Sequence, residues 1–462
     1  MIPILTPEEM AEVDRSAPEP VEVLVERAGF AVARAARRLM GGAYGRTVVV
    51  VAGRGNNGSD GRVAARWLSR WGARVRVLDA LEAGAARLPT ADLVIDAAYG
   101  TGLSRPYDPP DPRGTPVLAV DIPSGLSGLT GAGRSMAAAA TVTFGAYKPG
   151  LLLGDGPDKA GAVELAGIGL EGLAAQVADA WLVGDADLSM LPGRLSRAHK
   201  WQSAVLVVGG SEAMTGAPLL VAGAAMRSGA GYALVAVPGS PPGGGLPPGE
   251  HVGASLPAEG WHDEASLLAR RVKALAVGPG LGDRARGPGG STGADTPVGQ
   301  LLAATDLPAV VDADALNALG GLDALRSVAA GRNAPIVVTP HEGEYRRLTG
   351  RAPGEDRIAD VRAAASETGA VFLLKGSTTV VASPEGRVLV SASGSPRLAT
   401  AGTGDVLTGV IAAFLARGLP ALEAAALAAH AHGEAAQRGP REGLVAGDLP
   451  VLLSRYLSEV GA

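Results

Sequence analysis

The sequence predicts an α/β protein of two domains, the first built on a doubly wound parallel sheet. Short β-branched runs such as Thr47–Ala52 are followed at once by a glycine-rich turn and then by helical, alanine-rich sequence. That order suits a parallel sheet buried by helices on both faces. The pattern fades between about Leu170 and His199 and starts afresh at Ala204. At 462 residues the chain is also too long for one ordinary core.

Taken in order, Pro7 to Asp14 suits a first helix capped by Thr6, and Val21 to Leu39 a longer one. Thr47 to Ala52 is a strand, and a helix is expected from about Gly61 to Trp71. Arg74–Leu78, Leu93–Ala97, Val117–Asp121 and Ala140–Phe144 continue the strands. The second series opens with a strand over Ala204–Gly210 and a helix over Ala217–Ser228. Strands follow at Ala233–Val237, Ala274–Val277, Ala309–Asp312, Ile336–Thr339 and Val371–Lys375. Two segments rich in Gly, Pro and Ser, 238–249 and 282–297, are expected as exposed, mobile loops.

Composition removes several classes of function. A net charge of −5 and an aromatic share of 3% speak against a nucleic-acid groove or an anionic membrane surface. The absence of cysteine excludes disulfides, thiolate metal sites and cysteine nucleophiles. Met1 to Asp14 is acidic and lacks the cationic lead of a signal peptide, and no apolar run reaches the roughly 18 residues of a membrane span. The chain reads as soluble and cytoplasmic.

In the first half, Gly53-Arg54-Gly55-Asn56-Asn57-Gly58-Ser59-Asp60-Gly61 follows a strand but is not the dinucleotide fingerprint. Its adjacent asparagines suit an ordered ligand or a hard cation held by oxygens. Asp96 ends another strand before Gly100-Thr101-Gly102-Leu103-Ser104-Arg105-Pro106, and Asp121-Ile122-Pro123-Ser124-Gly125 ends a third. Three polar clusters at the C-terminal ends of strands converge on one crevice. With Thr143-Phe144-Gly145-Ala146-Tyr147-Lys148, this series resembles the NAD(P)H-hydrate epimerase domain over about residues 5–170. The resemblance implies hydrate contacts at Asn56, Asn57, Gly58, Ser59, Asp60, at Gly100, Thr101, Gly102, Leu103, Ser104, Arg105, Pro106, and at Asp121. It also implies a potassium ion at Asn57, Asp96 and Ser124, with Asp121 as the acid/base residue. Ser59 stands where the family usually has glycine. Lys148 is read as packing or solvated rather than catalytic.

In the second half, Thr400-Ala401-Gly402-Thr403-Gly404-Asp405 opens an apolar helix, so backbone N–H groups and the helix dipole favour a phosphoryl group there. Asp405 stands where it can take a proton from an attacking hydroxyl. Lys375-Gly376-Ser377-Thr378-Thr379, directly after a strand, offers a point charge and hydroxyl donors to a nucleotide phosphate. These segments, with His199-Lys200, Val207–Ser211, Gly216–Pro218, Gly278–Gly282, Asp312–Asn317, Thr339–Glu344 and Gly443–Leu449, resemble the ADP- or ATP-dependent NAD(P)H-hydrate dehydratases over about 195–460. That implies hydrate contacts at Ala217, Gly280, His341 and Asp405, and nucleotide contacts at Lys375, Gly376, Ser377, Thr378, Thr379 and Gly404. Many members carry an asparagine-bearing turn where this chain has Ser391–Arg397, so altered loop contacts are expected there.

Together the two resemblances imply a Rossmann-like three-layer αβα domain (1–170), a linker (171–198) and a ribokinase-like α/β domain (199–462). The expected protein is a bifunctional enzyme for repair of nicotinamide nucleotides. It would epimerise the R and S hydrates of NADH and NADPH and dehydrate the S form with ADP or ATP, releasing AMP or ADP and phosphate. Potassium in the first domain, magnesium with the nucleotide in the second, and a homo-oligomer complete the expectation. A composition rich in Ala, Gly and Arg points to a bacterial member, and so to ADP. The alternative is a ribokinase-class small-molecule kinase with a non-catalytic N-terminal binding module.

Overall fold

The computed structural model describes residues 1–103, 105–194, 196–241 and 245–461. The chain divides into two compact units, Ile2–Trp181 and Leu182–Ala462. The stretch 171–198, expected as a linker, carries a helix over Glu171–Val177 and a 3₁₀ turn over Asp185–Met190.

The six-stranded sheet of the first unit is built from β1 (Thr47–Ala52), β2 (Arg74–Asp79), β3 (Leu93–Ala97), β4 (Val117–Val120), β5 (Ala140–Phe144) and β6 (Ala162–Ala166). They pair in the order β2-β1-β3-β4-β5-β6, parallel throughout. Val48, Val50 and Ala52 of β1 enter one core with Val32, Ala36, Ala64 and Leu68, while Val49 and Val51 enter a second with Ala80 and Met136. Alternate side chains thus serve two cores, and a continuous apolar run is what such a strand requires. The helices that matter for the site are α1 (Pro7–Arg15), α2 (Val21–Leu39) and α3 (Asn56–Arg70). From β1 the chain crosses to β2 on one side and later to β3 on the other, which leaves a crevice at the C-terminal ends of β1 and β3.

In the second unit the strands are β7 (Ala204–Val208), β8 (Tyr232–Pro238), β9 (Val252–Leu256), β10 (Ala274–Val277), β11 (Ala309–Val311), β12 (Ile336–Val338), β13 (Val371–Leu374), β14 (Thr379–Ala382) and β15 (Val388–Ser391). Their order is β15-β14-β13-β12-β11-β10-β7-β8-β9. The run from β13 to β9 is parallel, and β14 and β15 add an antiparallel hairpin. The strand order reverses between β7 and β10, whose ends are tied together: the Gly210 N–H donates to Pro279 O at 2.8 Å, and the Gly278 N–H to Val208 O at 3.1 Å. Helices α4 (Gly216–Arg227), α5 (Asp314–Leu319), α6 (Glu342–Thr349), α7 (Thr403–Ala416) and α8 (Ala421–Gln437) follow in the chain.

Three sequence expectations change. Strands β6, β9, β14 and β15 are absent from the sequence reading, and β9 follows a Gly/Pro-rich stretch. The segment 282–297 is not simply exposed: Ala285 and Thr296 are buried, and the Thr296 hydroxyl accepts from the Gly299 N–H to cap a helix. Helix α3 starts at Asn56, so most of the supposed glycine loop is its first turn and a half. Of the segment 238–249, residues 242–244 lie outside those described. Among the described residues no helix is long and apolar enough to cross a membrane.

Candidate active sites

The N-terminal crevice opens into a cavity of about 550 Å³. Its floor comes from the ends of β1, β3, β4 and β5, and α1 and α2 add an aliphatic wall of Met10, Val21, Leu24, Val25 and Ala28. Gly58 explains how the floor is so open. A Cβ there would lie 1.9 Å from Gly53 O, so only glycine lets the first turn of α3 fold back onto the end of β1. The consequence is that Asn56, Asn57 and Asp60 face the cavity, while Gly58 is buried beneath it. Ser59 turns back toward Gly55 O at 3.4 Å, so its hydroxymethyl group stays out of the cavity. Gly100, Thr101, Gly102, Leu103 and Arg105 line the opposite rim. Pro106 is exposed and does not line it, and Ser104 lies outside the described residues. Arg105 stacks over the Tyr99 ring at 5.6 Å and donates to its hydroxyl at 3.1 Å.

Asp121 is the centre of the floor. Its φ of 68° is left-handed, a conformation unusual outside glycine, and it aims the carboxyl group into the cavity. Lys148 Nζ donates to Asp121 Oδ1 at 2.6 Å, Thr143 Oγ1 at 2.9 Å and Phe144 O at 2.9 Å. The Thr143 hydroxyl lies 3.1 Å from the same Asp121 oxygen. At 1% exposure Lys148 is packed and not solvated, which decides between the two readings the sequence left open. Asp60 faces the same space, and burial, with Asp121 and then Asp14, pushes its carboxyl group up to about 8. Asp14, on α1, is likewise raised, first by burial, against the lowering effect of Lys148. Sequence reading missed Asp14 because it ends an ordinary amphipathic helix.

Behind this floor, Asp96 is fully buried and accepts from the Ser124 N–H at 2.9 Å and the Ala98 N–H at 3.4 Å. Burial raises its pKa. Ser124 Oγ accepts from the Tyr99 N–H and donates to Tyr99 O, both at 2.9 Å. The Asn57 amide nitrogen is buried without a hydrogen-bond partner.

In the second unit, Lys375, Gly376, Ser377, Thr379 and Gly404 line a cavity of about 400 Å³ with Ser395, Pro396, Leu398, Ala399, Leu407 and His432. Thr378 is buried and does not line it. The cavity meets the N-terminus of α7, where Gly402 takes φ 88°. A Cβ on Gly404 would lie 3.4 Å from Lys375 Nζ, so the glycine leaves the ammonium room beside the helix start. Lys375 is tied to Asp312 Oδ1 at 2.7 Å, and Thr408 donates to Asp312 Oδ2 at 2.7 Å. Burial, then Asp312, push Asp405 up to about 7, with Lys375 acting in the opposite direction. His432 is buried, and burial pushes its imidazole down to about 4, so it stays neutral. It sits in alanine-rich helical sequence that does not single it out.

Ala217 and Gly280 adjoin: a Cβ on Gly280 would lie 3.2 Å from that of Ala217. Neither residue, nor His341 or Asp405, lines the 400 Å³ cavity itself. His341 caps α6: its Nδ1 accepts from the Gly343 N–H at 2.9 Å, so a neutral ring carries its proton on Nε2. Ala313, with φ 50°, starts α5 and sets Asp314 to accept from the Gly282 N–H at 2.8 Å.

Comparison with known proteins agrees with this division. The family described as NAD(P)H-hydrate dehydratase matches residues 205–459. The family described as YjeF-related protein N-terminus matches residues 21–86 and 79–150. The chain is 36% identical to the bifunctional NAD(P)H-hydrate repair enzyme Nnr of Salinibacter ruber, over 99% of this chain and 96% of that one. It is 37% identical to the enzyme of the same name from Moorella thermoacetica, over 99% and 98%. A solved structure of ADP/ATP-dependent NAD(P)H-hydrate dehydratase from Bacillus subtilis, co-crystallised with ATP/Mg²⁺, covers 59% of this chain and 96% of its own, at 25% identity and a TM-score of 0.46.

Proposed function

The chain belongs to the bifunctional NAD(P)H-hydrate repair enzymes, and on that premise we propose that its first unit epimerises the hydrates and its second dehydrates the S epimer. The observation that supports this division is the same in both units. A carboxyl group with a raised pKa and a lysine-paired aspartate stand together at the C-terminal ends of parallel strands. The kinase alternative has only the fold class in its favour.

In the second unit the nucleotide places its phosphates against Lys375, Gly376, Ser377, Thr379 and the N–H groups at Gly404. Lys375 exchanges its contact with Asp312 for a phosphate oxygen. Asp405, with a pKa of about 7, is ionised in a large fraction of molecules at neutral pH and is basic enough to accept the proton of the C6 hydroxyl. The freed oxygen attacks the terminal phosphoryl group. The N1 lone pair then expels phosphate from C6, and loss of a C5 proton restores the ring double bond. ADP is the donor we favour, leaving AMP. Magnesium suits this site as a companion of the phosphates, screening their charge. Both Asp312 oxygens are already engaged, so the protein supplies few free ligands.

In the first unit Asp121, set by Lys148, exchanges protons at the C6 hydroxyl, and Arg105 faces the phosphates of the dinucleotide. Potassium fits the pocket behind the floor. Asp96 is fully buried with no cation beside it among the described residues, and turning the Asn57 amide would aim an oxygen where its unpartnered nitrogen lies. Asn57, Asp96 and Ser124 would hold the ion, which would supply the missing charge and fix the strand ends. We place the enzyme in the cytoplasm as a homo-oligomer. Substitution Asp121→Asn tests the division directly: epimerisation should be abolished while S hydrate is still dehydrated, and unchanged epimerisation would remove Asp121 from the reaction.

A further inference from the structure

Two carboxyl groups of the N-terminal cavity sit in opposite surroundings. Asp121 receives the Lys148 ammonium at 2.6 Å and the Thr143 hydroxyl at 3.1 Å. Asp60 is 6% exposed and lines the same cavity, yet among the described residues it has neither a hydrogen-bond donor nor a cation beside it. A buried carboxyl group with no partner keeps its proton. One cavity therefore offers a proton donor and a proton acceptor, the division that acid–base chemistry on a single carbon requires.

We propose that Asp60 is the general acid of epimerisation, giving its proton to the C6 hydroxyl as the C6–O bond breaks, while Asp121 receives a proton from the water that returns. The proposal rests on reading this cavity as the epimerase site. C6 is bonded to N1, whose lone pair can form an N1=C6 double bond. The departing oxygen keeps the C–O electron pair, takes the Asp60 proton and leaves as water. Water then adds to C6 from the opposite face and loses a proton to Asp121. One proton has moved from Asp60 to Asp121, and the reverse reaction or exchange with solvent resets the pair. The ring passes through a cation, and the surroundings suit one. The titratable and charged groups lining the cavity around Asp60 are Asp14 from α1, Tyr99, Arg105, Asp121 and Lys148, while α2 contributes apolar side chains. Asp60 becomes a carboxylate as it gives up its proton, and it then stands with Asp121 in the same cavity as the positive ring.

The test uses the full-length enzyme and R hydrate in ¹⁸O-labelled water, with an enzyme-free control for spontaneous exchange. The wild type should place one solvent oxygen at C6 per epimerisation event. Asp60→Asn should slow epimerisation by about 10²–10⁴-fold, bind R hydrate normally, and leave dehydration of S hydrate unchanged. The wild-type rate should fall as pH rises through about 8, where Asp60 loses its proton. Asp60→Glu should restore part of the rate together with that alkaline limb, which a structural role would not do. Epimerisation without solvent oxygen would mean that N1–C6 breaks instead, and would overturn the proposal. So would a wild-type rate in Asp60→Asn while Asp121→Asn is inactive. If both variants epimerise normally, the cavity is not the epimerase site, and the reading beneath the proposal fails with it.

Discussion

Asp405→Asn should make the enzyme less active and more stable at the same time. Asn keeps the size of the side chain but can neither accept the hydroxyl proton nor carry charge. Loss of a general base lowers turnover by about 10²–10⁴-fold. The stability effect follows from the raised pKa. The carboxyl group moves from 3.8 to about 7 on folding, so between those values the folded state holds a proton that the unfolded state has lost. Wild-type stability therefore falls as pH rises from about 4 to 7, and the penalty is complete above 7. Three pH units correspond to at most about 4 kcal/mol, and partial exposure of the site reduces this to about 1–3 kcal/mol. Asn removes the penalty. Its melting temperature should exceed that of the wild type by about 2–6 °C at pH 8, with the difference closing toward pH 4. Return of dihydronicotinamide absorbance from S hydrate with ADP measures the activity, and thermal unfolding at pH 5 and 8 measures the rest. Activity above a tenth of wild type would refute the base assignment. A stability difference that did not change with pH would refute the electrostatic argument.

Lys148→Met leaves Asp121 without its cation at a buried site. Epimerisation should be lost and the first unit destabilised by about 3–5 kcal/mol, read by chemical unfolding, while S hydrate is still dehydrated. Gly58→Ala drives a methyl group against Gly53 O; a cost of about 1–3 kcal/mol or more and a raised KM for R hydrate should appear together. Replacing potassium by lithium should lower the melting temperature of the first unit alone, followed by calorimetry, because only that unit holds the Asp96 pocket.

Much of both sites was legible because function is concentrated in strand-end clusters whose residue types are restricted. Asn56, Asn57, Asp60, Gly100 to Leu103, Arg105 and Asp121 were named from sequence and come to one cavity. Lys375, Gly376, Ser377, Thr379 and Gly404 come to another. What escaped depends on three-dimensional approach. Lys148 follows an unremarkable strand, and its importance lies in where its ammonium lands, on Asp121. Asp14 and His432 sit on helices whose periodicity explains them without any ligand. The start of α3 was misplaced because glycine and asparagine read as loop, whereas Gly58 is needed for close packing inside a helix. Ser59, which stands where the family usually has glycine, turns away from the cavity.

The most direct test supplies purified R and S NADPH hydrate separately to the enzyme, with magnesium, potassium and either ADP or ATP, and follows the return of dihydronicotinamide absorbance. Recovery from S with ADP, and rapid recovery from R only while Asp121 is intact, is the predicted result. No recovery from either epimer, with nucleotide still bound, would contradict the account and leave the second unit as a kinase for another small molecule.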